Sequence, residues 1–293
     1  MINLCTISDY SYLAQGLTLY NSLKATTEDF TLHYLATDKQ SLKLLRGLDE
    51  ENLIVYDIER MLSSDSQLTK LFKSEYKYFC WTLSSYFTDF LVNTLNQDLT
   101  YIDSDIYFHT SVKGIIQDIG TKDIGLFRHR QYPLSHPNGN GWFNVGVVHF
   151  KNTEISRQSL AWWKDAVLHQ KYPDLATCGD QRYLDAFVQL DSDNLFIEGN
   201  IGHGSPWEWQ LYNYDSYHKD GCISWGSQKQ KLVFSHFSQF EYSLEEDTYI
   251  PSTTHYCFTP LIAYEQEPAL KDIYNNYFSK VKETINQYNI TKE

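Results

Sequence analysis

Asp103 and Asp105 flank Ser104 in the stretch LTYIDSDIYF (99–108), and the residues on both sides are apolar or β-prone. A carboxylate taken out of water without a partner is costly, so two of them between pieces of buried strand call for a compensating charge. An Asp-x-Asp at a strand end can hold a divalent cation that in turn neutralises a diphosphate. Mg2+ and Mn2+ favour carboxylates plus phosphate oxygens over an all-protein cage. A surface turn with Asx-type hydrogen bonds is the alternative. The flanking hydrophobic strand favours the cation, because it makes the turn a crevice rather than a loop tip.

His236, in KLVFSHFSQF (231–240), is a further candidate ligand. A lone His in an apolar strand is more often a satisfied core residue. Two carboxylates and two phosphate oxygens nevertheless leave an octahedral cation room for another donor, and Mn2+ tolerates imidazole better than Mg2+ does. Ligation requires the ring to reach Asp105 from more than a hundred residues away.

The elements that must position these groups alternate in the first half of the chain. Strands are expected at 2–8, 30–36 and 52–58, helices at 12–25 and 41–48, and a long helical region over 60–95 before the strand that ends at the acids. Such alternation predicts an α/β fold with a mostly parallel central sheet and helices on both faces, and ligands gather at the carboxyl ends of such strands. The second half is less regular. Strands are expected at 123–127, 142–150, 194–199 and 231–238, helices at 156–170 and 180–190, and a closing helix from about Thr259 to Tyr288. No repeat or linker interrupts the chain. The expected division is one domain over 1–258 with a C-terminal helical extension, 259–293, packed on it.

Composition narrows the partners. The formal charge is −13 and no basic run occurs, which argues against nucleic acid or an anionic membrane as the main partner. Cys5, Cys80, Cys178, Cys222 and Cys257 are scattered without a CxxC pair, which suits reduced thiols in the cytoplasm and gives no zinc signature. The start MINLCTISDYSYLAQG lacks the charged and apolar regions of a signal peptide, and no window is long enough to span a bilayer, although peripheral membrane contact stays open.

Five segments, in order, resemble the retaining GT-A glycosyltransferases of glycosyltransferase family 8. TISDYSYLAQGLTLYNSL is similar to the family's nucleotide-binding segment and YIDSDIYF to its metal-binding DxD. FNVGVVHFK resembles the segment that lines the sugar, GDQRYLDAF the Asp-Gln segment that follows, and HFSQF the late His-containing segment. The resemblance implies a GT-A fold and Mn2+ (or Mg2+) held by Asp103, Asp105 and His236. It also implies a UDP-sugar donor in a site that includes Thr6, Ser8, Asp9, Tyr12 and Ser104. Asp9 would accept the imide N–H of uracil and Tyr12 would stack on the base. A helix N-cap at Ser8 or Asp9 is the plainer reading of the same residues.

Toward the sugar, Asn144 interrupts an apolar strand with a side-chain amide, and Gly146 lets a ligand approach closely. A bulge with the amide satisfied internally is the alternative. Asp180 and Gln181 open the next helix, and the resemblance gives them hexose hydroxyls and a catalytic role; Asp180 is the nearest nucleophile if retention uses a covalent step. HGSPWEWQLYNY (203–214) concentrates Trp207, Trp209, Tyr212 and Tyr214, rings that suit either an acceptor sugar or a structural cluster. The chain departs from the family at two places. Cys80 or Trp81 stands near the position of a family Arg, with Lys73 and Lys77 out of register, and the late segment lacks the usual Gly and Lys-Pro-Trp.

The expected activity is metal-dependent transfer of a hexose from a nucleoside diphosphate, most simply UDP, to a hydroxyl of a glycan or glycolipid, with retention. A nucleotidyltransferase making the sugar nucleotide would share the fold, but its Gly-rich basic loop is missing from TISDYSYLAQG. A non-catalytic sugar-nucleotide binder would keep the acids and lose only turnover.

Overall fold

The computed structural model describes residues 1–130, 140–176, 179–190, 192–197, 199, 203–204, 206, 209–252 and 267–291. The strands are β1 (Ile2–Ser8), β2 (Phe30–Ala36), β3 (Leu53–Asp57), β4 (Leu99–Ile102), β5 (Ile106–Phe108), β6 (Ile124–Arg128), β7 (Phe143–Phe150), β8 (Leu195–Ile197), β9 (His203–Gly204), β10 (Cys222–Trp225), β11 (Gln228–Lys231), β12 (Phe234–His236), β13 (Glu241–Ser243) and β14 (Thr248–Ile250). A seven-stranded sheet runs in the order β3-β2-β1-β4-β7-β6-β8. Only β7 is antiparallel to its neighbours, β4 and β6; every other pairing in this sheet is parallel. The mostly parallel α/β sheet expected from the alternation is the one observed.

β1 and β2 are buried along almost their whole length because both faces of the sheet are covered. Their side chains alternate between two cores. Leu4, Leu32 and Tyr34 join the core beneath α1 (Leu13–Thr26), whereas Cys5 and Leu35 join the one beneath the long helix Tyr76–Leu95. The C-terminal helix, Pro268–Tyr288, buries Ile273, Tyr277, Val281 and Ile285 in the α1 core, on the same face of the sheet. Its expected start at 259 lies outside the described residues.

Several boundaries differ from the sequence expectation. The helical region 60–95 is three helices, Ile58–Ser64, Ser66–Ser74 and Tyr76–Leu95. Asp65 makes the first break, because its carboxylate accepts from the backbone N–H of Gln67 (2.9 Å) and Leu68 (3.0 Å) and starts a new helix. The expected helix 180–190 is a 3-10 turn, Gln181–Ala186, followed by the single turn Phe187–Leu190. The run 231–238 contributes β12 and, with Lys231, the last residue of β11, which pairs with β10 in a hairpin.

β12 carries the main consequence for function. It belongs to a separate three-stranded sheet, β5-β12-β9, in which β5 and β12 are antiparallel with Ile106 opposite His236. The segment 103–105 is therefore the junction where the chain leaves the large sheet and enters the small one.

Among the described residues no helix is long and apolar enough to cross a membrane.

Candidate active site

A cavity of about 380 Å³ opens where β1 and β4 end. β1 delivers Ser8 to its wall, with Asp9 and Tyr12 immediately after. The Asp9 carboxylate accepts from the backbone N–H of Ser11 (3.0 Å) and Tyr12 (3.3 Å), capping the short turn that leads into α1. It lines the cavity as well, so one residue serves as cap and as mouth. Ser8 Oγ lies 2.7 Å from Tyr34 Oη, and a Cβ at Gly16 would collide with that phenol; the glycine makes room for the ring. Thr6 lies deeper. It is fully buried in β1 and does not line the cavity.

Asp103, Ser104 and Asp105 form part of the wall beneath. Asp103 is anchored by its backbone N–H to Gly146 O (2.9 Å), and its carboxylate accepts from Tyr101 Oη (2.8 Å). The Asp105 carbonyl accepts from Phe237 N–H (2.9 Å), which fixes the register of the small sheet. That pairing brings His236 in, 5% exposed, with Nε2 3.1 Å from Asp105 Oδ1 and 3.6 Å from Asp103 Oδ2. One donor atom from each of the three residues lies within 4.8 Å of the other two, the only such group among the described residues. Burial chiefly, with the Asp105 charge adding to it, raises the Asp103 carboxyl to about 6 against the opposing pull of His236 and Tyr101.

The far wall comes from the second half of the chain. Asn144, on β7, donates from Nδ2 to Gln181 Oε1 (2.8 Å), while its Oδ1 accepts from Gly146 N–H (2.8 Å). Gln181 donates in turn to Asn140 O (2.6 Å). Gly146 does not line the cavity. A Cβ there would fall 2.5 Å from Asn144 Oδ1 and 2.7 Å from His236 Nδ1, so the missing side chain is room for these two groups. Asp180 is buried, accepts from Ser84 Oγ, and through its carbonyl accepts from Trp163 Nε1–H (3.0 Å). Burial first, then the Asp103 charge, push its carboxyl up to about 7 despite the Ser84 bond.

Trp209 is half-buried, packs against the α1 core and does not line the cavity; Trp207 lies outside the described residues. Tyr212 and Tyr214 are buried in the same core. The sequence reading missed Thr37, Ser84 and Ser238 in the lining. Thr37 follows the end of β2 and was accessible to the strand-end rule; Ser84 was not, because nothing in a helical register says which turn faces a ligand. Trp81, at the point of departure from the family, also lines the cavity. A Cβ at Gly179 would meet its indole at 2.5 Å, and Lys77 Nζ lies 4.9 Å from its centroid. No Lys or Arg lines the cavity among the described residues, whereas four Asp and one His do. Such a wall rejects an anion unless a cation accompanies it.

No protein-family model and no curated protein sequence matches the chain. Solved structures do. Mouse xyloside xylosyltransferase 1, in its apo form, superposes with a TM-score of 0.53 at 14% identity, over 80% of this chain and 97% of that one. The galactosyltransferase LgtC, in complex with donor and acceptor sugar analogues, gives 0.53 at 15% identity, over 80% and 86%. An active-site mutant of LgtC gives 0.52 at 13% identity over the same shares. The chain has the GT-A fold found in these glycosyltransferases.

Proposed function

We propose that the protein is a metal-dependent glycosyltransferase that moves a hexose from a UDP-sugar to a hydroxyl of a glycan or glycolipid, with retention of configuration. The observation that carries this reading is the convergence of Asp103, Asp105 and His236 on one point of a cavity that no Lys or Arg lines among the described residues. Two carboxylate oxygens and an imidazole nitrogen suit Mn2+, and Mg2+ less well. The raised Asp103 carboxyl marks a site with excess negative charge for its solvation, which a divalent cation relieves. Bound there, the cation would supply Lewis-acid stabilisation of the leaving diphosphate.

The chain's own groups do the rest. Asp9 and Tyr12, at the end of β1, receive the base. Asp180 and Gln181 face the sugar from the opposite wall. A carboxyl near 7 leaves Asp180 able to donate as well as accept a hydrogen bond at neutral pH, which suits a hexose hydroxyl. Attack of the acceptor hydroxyl on the face the diphosphate leaves, as the sugar–phosphate bond breaks and the hydroxyl proton passes to the departing phosphate oxygen, gives retention without a protein nucleophile. Three cysteines, Cys5, Cys80 and Cys222, are free among the described residues, which fits work in a reducing cytoplasm.

The test is incubation with a panel of UDP-sugars and Mn2+, reading UDP release with and without a chelator. Release with one sugar, abolished by chelation, supports the transferase. Turnover only with pyrophosphate or a nucleoside triphosphate would mean a nucleotidyltransferase, and saturable binding without turnover a sugar-nucleotide binder.

A further inference from the structure

Asn144 and Gln181 are bonded in a chain whose two ends are backbone groups with only one role each. At one end Gly146 N–H can only donate, so the Asn144 atom that receives it at 2.8 Å is the oxygen. At the other end Asn140 C=O can only accept, so the Gln181 atom 2.6 Å away is the amide nitrogen. Between them Asn144 Nδ2 donates to Gln181 Oε1 at 2.8 Å, consistent with both assignments. Neither amide can flip without breaking two bonds. Asn144 Oδ1 also lies 3.2 Å from His236 Nδ1. An amide oxygen cannot donate, so the ring nitrogen must carry the proton. With Nδ1 protonated, Nε2, 3.1 Å from Asp105 Oδ1, is the ring atom left to meet a cation there; without one, that contact calls for a second proton on Nε2.

We propose that Asn144, with Gln181 behind it, is a positioning residue that holds His236 in the Nδ1–H tautomer and aims Nε2 at the cation site. The hydrogen bond spans 92 residues between Asn144 and His236, and Gly146 supplies the space in which it forms. Gln181 therefore acts on the sugar wall and, through one amide, on the metal wall. A ligating His whose second nitrogen is held by an outer partner loses affinity for its metal by about 10–100-fold when that partner is removed.

The inference rests on the metal assignment proposed above, and its test keeps the two apart. In protein labelled with 15N-histidine and loaded with diamagnetic Zn2+ in place of Mn2+, long-range 1H–15N correlation should place the His236 proton on Nδ1. Asn144→Ala should shift it toward Nε2. A wild-type ring protonated on Nε2 overturns the proposal without any variant. Mn2+ binding, followed by electron paramagnetic resonance without nucleotide or sugar, should weaken by about 10–100-fold in Asn144→Ala. Asn144→Asp should recover most of it, since a carboxylate still accepts from both Gly146 N–H and Nδ1–H. Gln181→Leu should cost about two- to tenfold, the size of one lost neutral hydrogen bond. Equal Mn2+ affinity in the wild type and Asn144→Ala overturns the positioning role and leaves the metal site standing. A wild type that takes up no Mn2+ overturns the metal site and the positioning role with it.

Discussion

The two walls of the cavity are built differently. The β1/β4 wall uses residues at the ends of adjacent parallel strands: Ser8 ends β1 and Asp9 follows it, and Asp103 follows β4. Each needs only its own strand to arrive. The opposite wall has no such address. Asn144 lies within β7, Asp180 and Gln181 at a 3-10 turn, and His236 on a strand of the second sheet; hydrogen bonds among them supply the order that strand ends supply elsewhere. Local pattern positions the first wall and long-range contact positions the second. Substitutions on the first should therefore cost function with little loss of stability, and on the second the two should fall together.

The strongest separation is expected at Asp105. Asp105→Asn should lower the rate of UDP release by about a thousandfold or more, since several kcal/mol of charge stabilisation depends on the cation it helps to hold. The thermal midpoint of the metal-free protein should hold or rise, because one of two neighbouring like charges is gone. A large drop in that midpoint would put Asp105 among the structural residues of the small sheet.

Gly146→Ala should show the opposite behaviour. The new methyl would stand 2.5 Å from Asn144 Oδ1 and 2.7 Å from His236 Nδ1, so the second wall has to open. Denaturant unfolding should report a loss of about 1–3 kcal/mol, with Mn2+ affinity falling in the same variant. Unchanged stability with lost metal binding would mean that this wall is less bound together than its hydrogen bonds indicate.

Asp180 gives a pH test of the same contrast. Its folded carboxyl, near 7, lies above its ordinary 3.8, so the folded state holds the proton more tightly than the unfolded chain. The stability this contributes is complete below 3.8 and is lost as pH rises through about 7. With metal removed by a chelator, the wild-type unfolding midpoint should decline across that window more steeply than that of Asp180→Asn. Parallel curves would remove the buried, proton-binding Asp180 from the account.

The smallest effect is expected at Asp9. Asp9→Asn keeps an oxygen to cap the turn, so stability should change by no more than a few tenths of a kcal/mol, whereas Asp9→Ala should cost about 1 kcal/mol. UDP affinity should fall by about tenfold in both, the size of one charge-assisted hydrogen bond. Calorimetric titration with UDP and Mn2+ would separate the cap from the base contact. An Asn variant that binds UDP like the wild type would leave Asp9 as a cap alone.

The sequence by itself determined the strand–helix alternation, the mostly parallel sheet it implies, and the Asp103–Asp105 pair at the end of a strand. Those follow from short apolar-rich runs set between helical periodicities and from turns whose chemistry is local. It also brought Asn144 to notice as a polar interruption of an apolar strand, while leaving open whether that amide met a ligand or the protein. Its protein partners came only from the tertiary structure. The Asn144 amide is engaged by Gly146, Gln181 and His236, and the glycine two residues on is space for a histidine 90 residues further along the chain. The same holds for Trp209, whose ring packs against the α1 core, and for Ser84, whose helical turn faces Asp180. Strand ends and caps are set by neighbours a few residues apart. The partner of a side-chain amide or an imidazole is set by which sheets meet, and no local spacing records that meeting.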